Sequence, residues 1–118
     1  MNILIITPGI NKRFNDNYHA YSFIADNNKV LAISNKESLA KGGGLSKDPE
    51  VEVDGSLVIH RIFKSIREQQ SFIKRLSHMK KIETLVSDFS PDVIFCEEIS
   101  NLKFAVELKR KYKVPIVK

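Results

Sequence analysis

The apolar positions of this chain alternate between two periods. Ile3 to Ile6 form an unbroken apolar run, as a strand buried on both faces requires, and a first strand is predicted over Asn2–Ile6. Thr7-Pro8-Gly9 break the run, and residues 10–16 are a polar loop. Ala20, Phe23 and Ile24 then recur at helical spacing. They predict a short helix over residues 17–26 with these three side chains inward and Asn15 or Asp16 as its cap. Asn27-Asn28 end it, and Lys29–Ser34 read as a second strand. Strand, helix and strand make one βαβ unit.

Residues 35–50 form a long loop containing Lys41-Gly42-Gly43-Gly44. Val51–Val53 and Leu57–Ile62 then flank Asp54-Gly55, a hairpin turn signal. Ser65 and Glu68 have capping-box spacing. Beyond them Ile66, Phe72, Ile73, Leu76, Met79, Ile82, Leu85, Val86 and Phe89 repeat every three or four residues, which predicts one long amphipathic helix over residues 66–88. Ser90-Pro91 stop it. Asp92–Cys96 read as a buried strand, and Leu102–Tyr112 as a helix with Phe104, Ala105, Leu108 and Tyr112 inward. Val114–Val117 are a last strand entered through Pro115.

This alternation predicts an α/β fold: a three-layer, doubly wound, Rossmann-like domain with a mostly parallel sheet and one hairpin. Ligands of such sheets sit at the carboxyl ends of the strands, near the point where strand order reverses. That rule selects three loops: after Ile6, after Ser34 and after Cys96.

Length and composition narrow the picture. At 118 residues the chain is a single domain with one core. Its 42% hydrophobic residues contain no run able to span a bilayer. The opening MNILII has no basic leader and is too short for a signal peptide, and a lone Cys96 excludes an internal disulfide. A reducing cytoplasm is therefore expected. The net charge of +5 is local: between Arg61 and Lys81 seven basic residues face only Glu68, which exceeds the whole surplus. Lys109-Arg110-Lys111 with Lys113 form a second cluster. Such patches suit a polyanionic surface, and they also suit a solvated helix face.

The order of segments resembles the N-terminal half of family 4 glycosyltransferases. The residues that carry the resemblance are NILIITPGI, NNKVLAIS, VDGSLVIHRI, FSPDVIFCEE and the closing YKVPIVK. They extend from Asn2 to Lys118, and Ser90-Pro91-Asp92-Val93-Ile94 after a long helix is the most specific piece. The resemblance implies the GT-B architecture, two Rossmann-like domains across a cleft. This half would receive a carbohydrate or lipid-linked acceptor, and the nucleotide-sugar donor would bind in a C-terminal domain. Strand Val114–Val117 would then lead into more of the domain, the chain would be truncated after Lys118, and this fragment alone would be inactive. No cofactor is expected in this half.

Candidate residues follow from the resemblance and from the strand ends. Pro8 and Gly9 stand where the family carries a glycine-rich loop near the donor diphosphate. The following Gly-Gly is absent here, and Asn11, Lys12 and Arg13 supply polar and basic groups instead. A plain strand-to-helix turn is the competing reading. Glu97 and Glu98 stand at the ligand edge, where either accepts hydrogen bonds from sugar hydroxyls or acts as a base. One of them, with Ser100 or Asn101, is alternatively a cap for the next helix. His19, near the start of the first helix, is the one histidine placed near the cleft; His60 and His78 are scattered singly, and no metal site is expected. Cys96 reads as a small core residue. Arg67, Lys74, Arg75, Lys80 and Lys81 form a basic face that the family resemblance assigns to anionic membrane at the inner face of the bilayer. Two other classes compete: a stand-alone flavodoxin-like module for a small ligand or nucleotide, and a nucleic-acid binder. The second lacks a recognisable module and aromatic platform, so no nucleic acid is expected. Absence of Gly-x-Gly-x-x-Gly argues against a dinucleotide site.

Overall fold

A computed structural model describes residues 1–10, 16–37, 44–46 and 48–117. The elements run β1 Asn2–Ile6, α1 Asp16–Ile24, β2 Lys29–Asn35, β3 Val51–Asp54, β4 Leu57–Phe63, α2 Ile66–Gln70, α3 Phe72–Ser77, α4 Met79–Phe89, β5 Val93–Cys96, a 3-10 turn Ile99–Asn101, α5 Leu102–Tyr112 and β6 Ile116–Val117. The fold is α/β, with a six-stranded sheet in the order β3-β4-β2-β1-β5-β6. All pairs are parallel except β3 with β4, the predicted hairpin at one edge. Counted in chain order, the parallel strands lie 3-2-1-4-5, the order of the first five strands of a Rossmann sheet and not the 2-1-3-4-5 of flavodoxin. Strand order reverses between β1 and β5.

The strands alternate their side chains between two cores. Leu4, Ile6, Leu31, Ile33, Ile94 and Cys96 pack with Ile82 and Val86 of α4 and Phe104, Ala105 and Leu108 of α5. Ile5, Val30, Ala32, Leu57 and Ile59 pack with Tyr18, Tyr21 and Ala25 on the other face. Among the described residues, α1 is the one helix on that second face, and Ile10 of the loop after β1 packs there too.

Three helical expectations are corrected. The stretch predicted as one helix over 66–88 is three. Ser71 ends α2 in extended backbone, and its side chain accepts from the Lys74 N–H to start α3. His78, at φ −105° and ψ 3°, separates α3 from α4. The apolar period of the predicted helix therefore does not continue through α3: Phe72, Ile73 and Leu76 are exposed. In and just after α1 the inward residues are Tyr18, Tyr21 and Ala25; Ala20, Phe23 and Ile24 lie outside the core. The tyrosines win because each buries a ring while its hydroxyl finds a carboxylate partner. The Ser65 cap is confirmed, its hydroxyl accepting from the Glu68 N–H at 3.1 Å. Ser90 stops α4 in left-handed backbone at φ 51°.

Candidate functional site

The switch point lies between β1 and β5. Their ladder runs one step past the strands, with Glu97 N–H donating to the Ile6 carbonyl at 3.0 Å. Thr7-Pro8-Gly9 and Glu97-Glu98 therefore leave the sheet side by side. The end of β2 joins them, as Thr7 N–H donates to the Ile33 carbonyl at 3.2 Å. The three loops selected from the sequence converge.

Beneath them lies a chain of buried amides that sequence reasoning missed. Asn35 Nδ2 donates to the Pro8 carbonyl at 2.7 Å and to Gln69 Oε1 at 2.8 Å. Gln69 Nε2 donates to the Thr7 carbonyl at 3.0 Å and to Asn101 Oδ1 at 3.1 Å. Asn101 Nδ2 donates to the Glu97 carbonyl at 3.1 Å, and the Ser34 hydroxyl to the Thr7 carbonyl at 3.0 Å. None of these four side chains is more than 1% exposed. Buried polar groups persist where their hydrogen bonds are made, and a satisfied network rigidifies what it joins. Here it draws the carbonyls of Thr7 and Pro8 inward and ties α2 to the ends of β1, β2 and β5. No hydropathy signal marks Asn35, Gln69 or Asn101. Their hint was position alone, at or just beyond predicted element ends.

Glu97 stands over this floor, partly buried. Its Oε2 accepts from the hydroxyls of Thr7 and Tyr21, and its Oε1 from Asn17 Nδ2. Burial first, and then the hydrogen bond to Glu97, hold the Tyr21 phenol well above its ordinary range, so it stays a donor. A carboxylate offers about four acceptor sites, and three are occupied here. Glu97 therefore fastens the start of α1 to the end of β5 while keeping acceptor capacity on Oε1.

The other predicted residues divide. Pro8 and Gly9 leave the sheet at the end of β1, the Pro8 carbonyl held by Asn35 Nδ2. Gly9 is buried and its φ is not positive, so its value is small size. Asn11, Lys12 and Arg13 lie outside the described residues. Glu98 is exposed at φ 72° and ψ 140°, a backbone region that costs a non-glycine residue of order 1–3 kcal/mol. Neither Glu98 nor Asn101 makes a side-chain cap bond, so the capping alternative is not realised. Asn101 serves the amide floor instead. His19 is exposed, with its ring 6.0 Å from that of Tyr18, and is not brought to Glu97. Asn17 and Tyr21 are one turn apart on the face that meets Glu97, and His19 between them points elsewhere. Cys96 is buried, its thiol 3.4 Å from the Glu98 carbonyl.

The basic segment is less exposed than its sequence suggests. Arg61 is fully buried. Its guanidinium donates to the Ile10 carbonyl at 2.8 and 3.2 Å and to the Pro49 carbonyl at 2.8 Å, and pairs with Glu52 at 2.9 Å. Arg75 is removed from the predicted membrane face. It is 3% exposed, forms a two-pronged pair with Glu107 at 2.7 and 3.1 Å, and lies over the Phe104 ring. Arg's planar fork suits such partly desolvated pairing. Arg67, Lys74, Lys80 and Lys81 remain exposed. Phe72, Ile73 and Leu76 of α3 are 58%, 75% and 52% exposed.

Among the described residues, no group of three His, Cys, Asp or Glu is placed to hold a metal ion, and no helix is long and apolar enough to cross a membrane. No family model matches the chain, and no curated protein matches it.

Proposed function

We propose that this chain is the acceptor-binding, N-terminal domain of a glycosyltransferase. Its partner would be a C-terminal domain that holds a nucleotide-sugar and transfers the sugar to a carbohydrate or lipid-linked acceptor in the cytoplasm. The observation that carries this reading is the crevice at the β1/β5 switch point. There a small-residue loop, Thr7-Pro8-Gly9, adjoins a carboxylate with unused acceptor capacity, Glu97, over a pinned floor. Glu97 Oε1 accepts a sugar hydroxyl and orients it, and Glu98 offers a second carboxylate at the rim. Neither the Rossmann strand order nor the crevice is peculiar to sugar transfer, and the resemblance of the sequence supplies that part.

The test is an amide NMR titration with methyl glucoside and, separately, with ADP and UDP. Saturable shifts at Thr7, Gly9 and Glu97 with the sugar are expected. Tight binding of a free nucleotide with no sugar response would overturn the reading in favour of a stand-alone nucleotide module. The donor domain is checked by reading the coding sequence past Lys118. Roughly 200 further residues are expected; a stop codon there would refute a donor site in the same chain.

The same reading places α3 against the inner face of the membrane. Phe72, Ile73 and Leu76 enter the interface while Arg67, Lys74 and Lys80 meet anionic headgroups, each basic residue contributing about 1 kcal/mol. Co-sedimentation with phosphatidylserine vesicles, lost in Ile73→Asp and absent with pure phosphatidylcholine, is expected. Equal binding of both vesicle types would refute the basic contribution.

A further inference from the structure

Gln69 is the member of the amide floor that reaches the Thr7 carbonyl from α2, and it does so only while α2 keeps its place. That helix has five residues. A helix so short has little stability of its own, and its position depends on what holds its ends. At the first end the Ser65 hydroxyl accepts from the Glu68 N–H. At the last end the chain turns extended at Ser71, and the final carbonyls find no partner in a next turn. The Glu68 carbonyl accepts from the Ser71 N–H at 3.0 Å. The Gln69 carbonyl accepts from Arg75 Nη1 at 3.2 Å, across the break between α2 and α3.

The direction of that Nη1 is set by α5. Arg75 Nε and Nη2 donate to the two oxygens of Glu107, and the guanidinium lies over the Phe104 ring with Cζ 5.5 Å from its centre. A planar fork held along one edge and against one face has little freedom to turn. Its remaining corner therefore places the Gln69 carbonyl relative to α5. The same run of chain meets the other end of Gln69, because Asn101 accepts from Gln69 Nε2 at 3.1 Å. Backbone and side chain of Gln69 are thus both referred to residues 101–107. Arg75 is 3% exposed, so solvent does not stand in for these bonds. The tolerance is small. Gln69 Nε2 lies 3.0 Å from the Thr7 oxygen. Such a bond is lost beyond about 3.5 Å, so a displacement of α2 by about half an ångström breaks it.

We infer that Arg75 is a positioning residue of the crevice. Through the Gln69 carbonyl it sets the side-chain amide that draws the Thr7 carbonyl inward, and so the place of Thr7-Pro8-Gly9 beside Glu97. It touches no ligand itself. In what the crevice binds, this rests on the acceptor reading, and it adds the group that keeps the loop facing the sugar in position. A purely structural Arg75 would strengthen the contact between α3 and α5 and leave the crevice of the folded protein unchanged. The two roles therefore part in experiment.

The experiment uses Arg75→Lys, which keeps the charge and a contact with Glu107 but lacks the fork that reaches Gln69 at the same time. It is read at a temperature where every variant is folded, as circular dichroism checks. The readouts are the ligand-free amide shifts of Thr7, Gly9 and Glu97 and the affinity for methyl glucoside. Arg75→Lys should move the Thr7 and Gly9 amides and weaken sugar binding about two- to tenfold, the worth of one such hydrogen bond. Glu107→Gln leaves the arginine in place with a weaker hold, and should move the same amides in the same direction but less far. Val86→Ala lowers Tm through a core cavity, and Val86 makes none of these bonds, so both amides should stay where they are. The decisive comparison is made in Gln69→Leu. In that background Arg75→Lys should change the sugar affinity by less than about 1.5-fold, although it still lowers Tm.

Unmoved Thr7 and Gly9 amides in both Arg75→Lys and Glu107→Gln would overturn the inference and leave Arg75 as a structural tie. So would an Arg75→Lys effect of equal size with and without Gln69, because the influence would then travel by another route. The acceptor reading fails separately. If methyl glucoside binds neither the parent chain nor any variant, that reading falls, and the amide shifts with their dependence on Gln69 still decide the role of Arg75. If the sugar binds with saturable shifts and Arg75→Lys leaves its affinity unchanged, the acceptor reading stands and the inference is refuted.

Discussion

Replacing Gln69 by Leu tests whether the amide floor organises the crevice. Leucine is of similar size and makes none of the three hydrogen bonds. The structure apportions the loss. The Thr7 carbonyl keeps its bond from Ser34, and Asn35 Nδ2 keeps its bond to the Pro8 carbonyl, so each forfeits one interaction. Such bonds are worth about 0.5–1.5 kcal/mol each. Asn101 Oδ1 has Gln69 as its partner in this network and would be left buried and unpaired, at about 1–3 kcal/mol. Together these give about 3 kcal/mol after some return from apolar burial. In a domain of 118 residues that corresponds to a fall in Tm of about 12 °C. Urea unfolding should show a lower midpoint with an unchanged slope. Amide shifts should concentrate at Thr7, Gly9 and Glu97, and sugar binding should weaken with them. A loss below about 1 kcal/mol would refute the reasoning. So would strict additivity of Gln69→Leu with Asn35→Ala, because residues in one network must couple.

Arg75→Met should cost about 2–3 kcal/mol, because it strands Glu107 beside the α3–α5 contact, and Glu107→Gln should cost less; equal costs in urea unfolding would argue against this pairing. His60 is half-buried with a buried, unpartnered Nδ1, and burial holds its pKa below the usual histidine value. The unfolded chain then binds the proton first as pH falls below about 6.5. Stability should therefore decline from that pH downward through the folded pKa, and His60→Gln should flatten this part of the pH profile. Lys113 ends α5 at φ 54° with its side chain exposed, so Lys113→Gly should raise stability by about 0.5–1 kcal/mol in thermal unfolding. An unchanged or lower Tm would refute that.

The sheet was legible because its strands read as apolar runs, β1 and β2 with cores on both faces and β5 alternating buried with half-buried residues. Ile3–Ile6, Val30–Ile33 and Val93–Cys96 needed no further signal. The hairpin announced itself through Asp54-Gly55, and the three ligand-edge loops followed from strand order. Helix faces were harder to read. Hydropathy ranks Phe23 and Ile24 above Tyr18 and Tyr21, yet the tyrosines are the buried pair because each hydroxyl meets a carboxylate across the fold, a contact no local pattern encodes. The same is true of Arg61 and Arg75, whose carboxylate partners Glu52 and Glu107 lie 9 and 32 residues away in the chain. The break at Ser71 looked like a polar gap in a helical repeat, and only its cap bond makes it a boundary. The amide floor was the least visible part, since Asn35, Gln69 and Asn101 belong to three separate segments.

The width of the sheet is guarded unevenly, and this bears on how the molecule opens. β2 and β1 have strand neighbours on both sides and packed layers above and below. Among the described residues, β6 has two residues and pairs with β5 alone, and its Val117 is half exposed. Local openings draw on the least covered backbone, so amide deuteration should sweep inward from β6 through β5 before it reaches β1. Because Glu97 sits at the end of β5, the side of the crevice that carries the carboxylate would loosen in such openings while the Thr7–Gly9 side stays shut. The crevice then has a fixed jaw and a yielding one, and a bulky guest would enter from the yielding side.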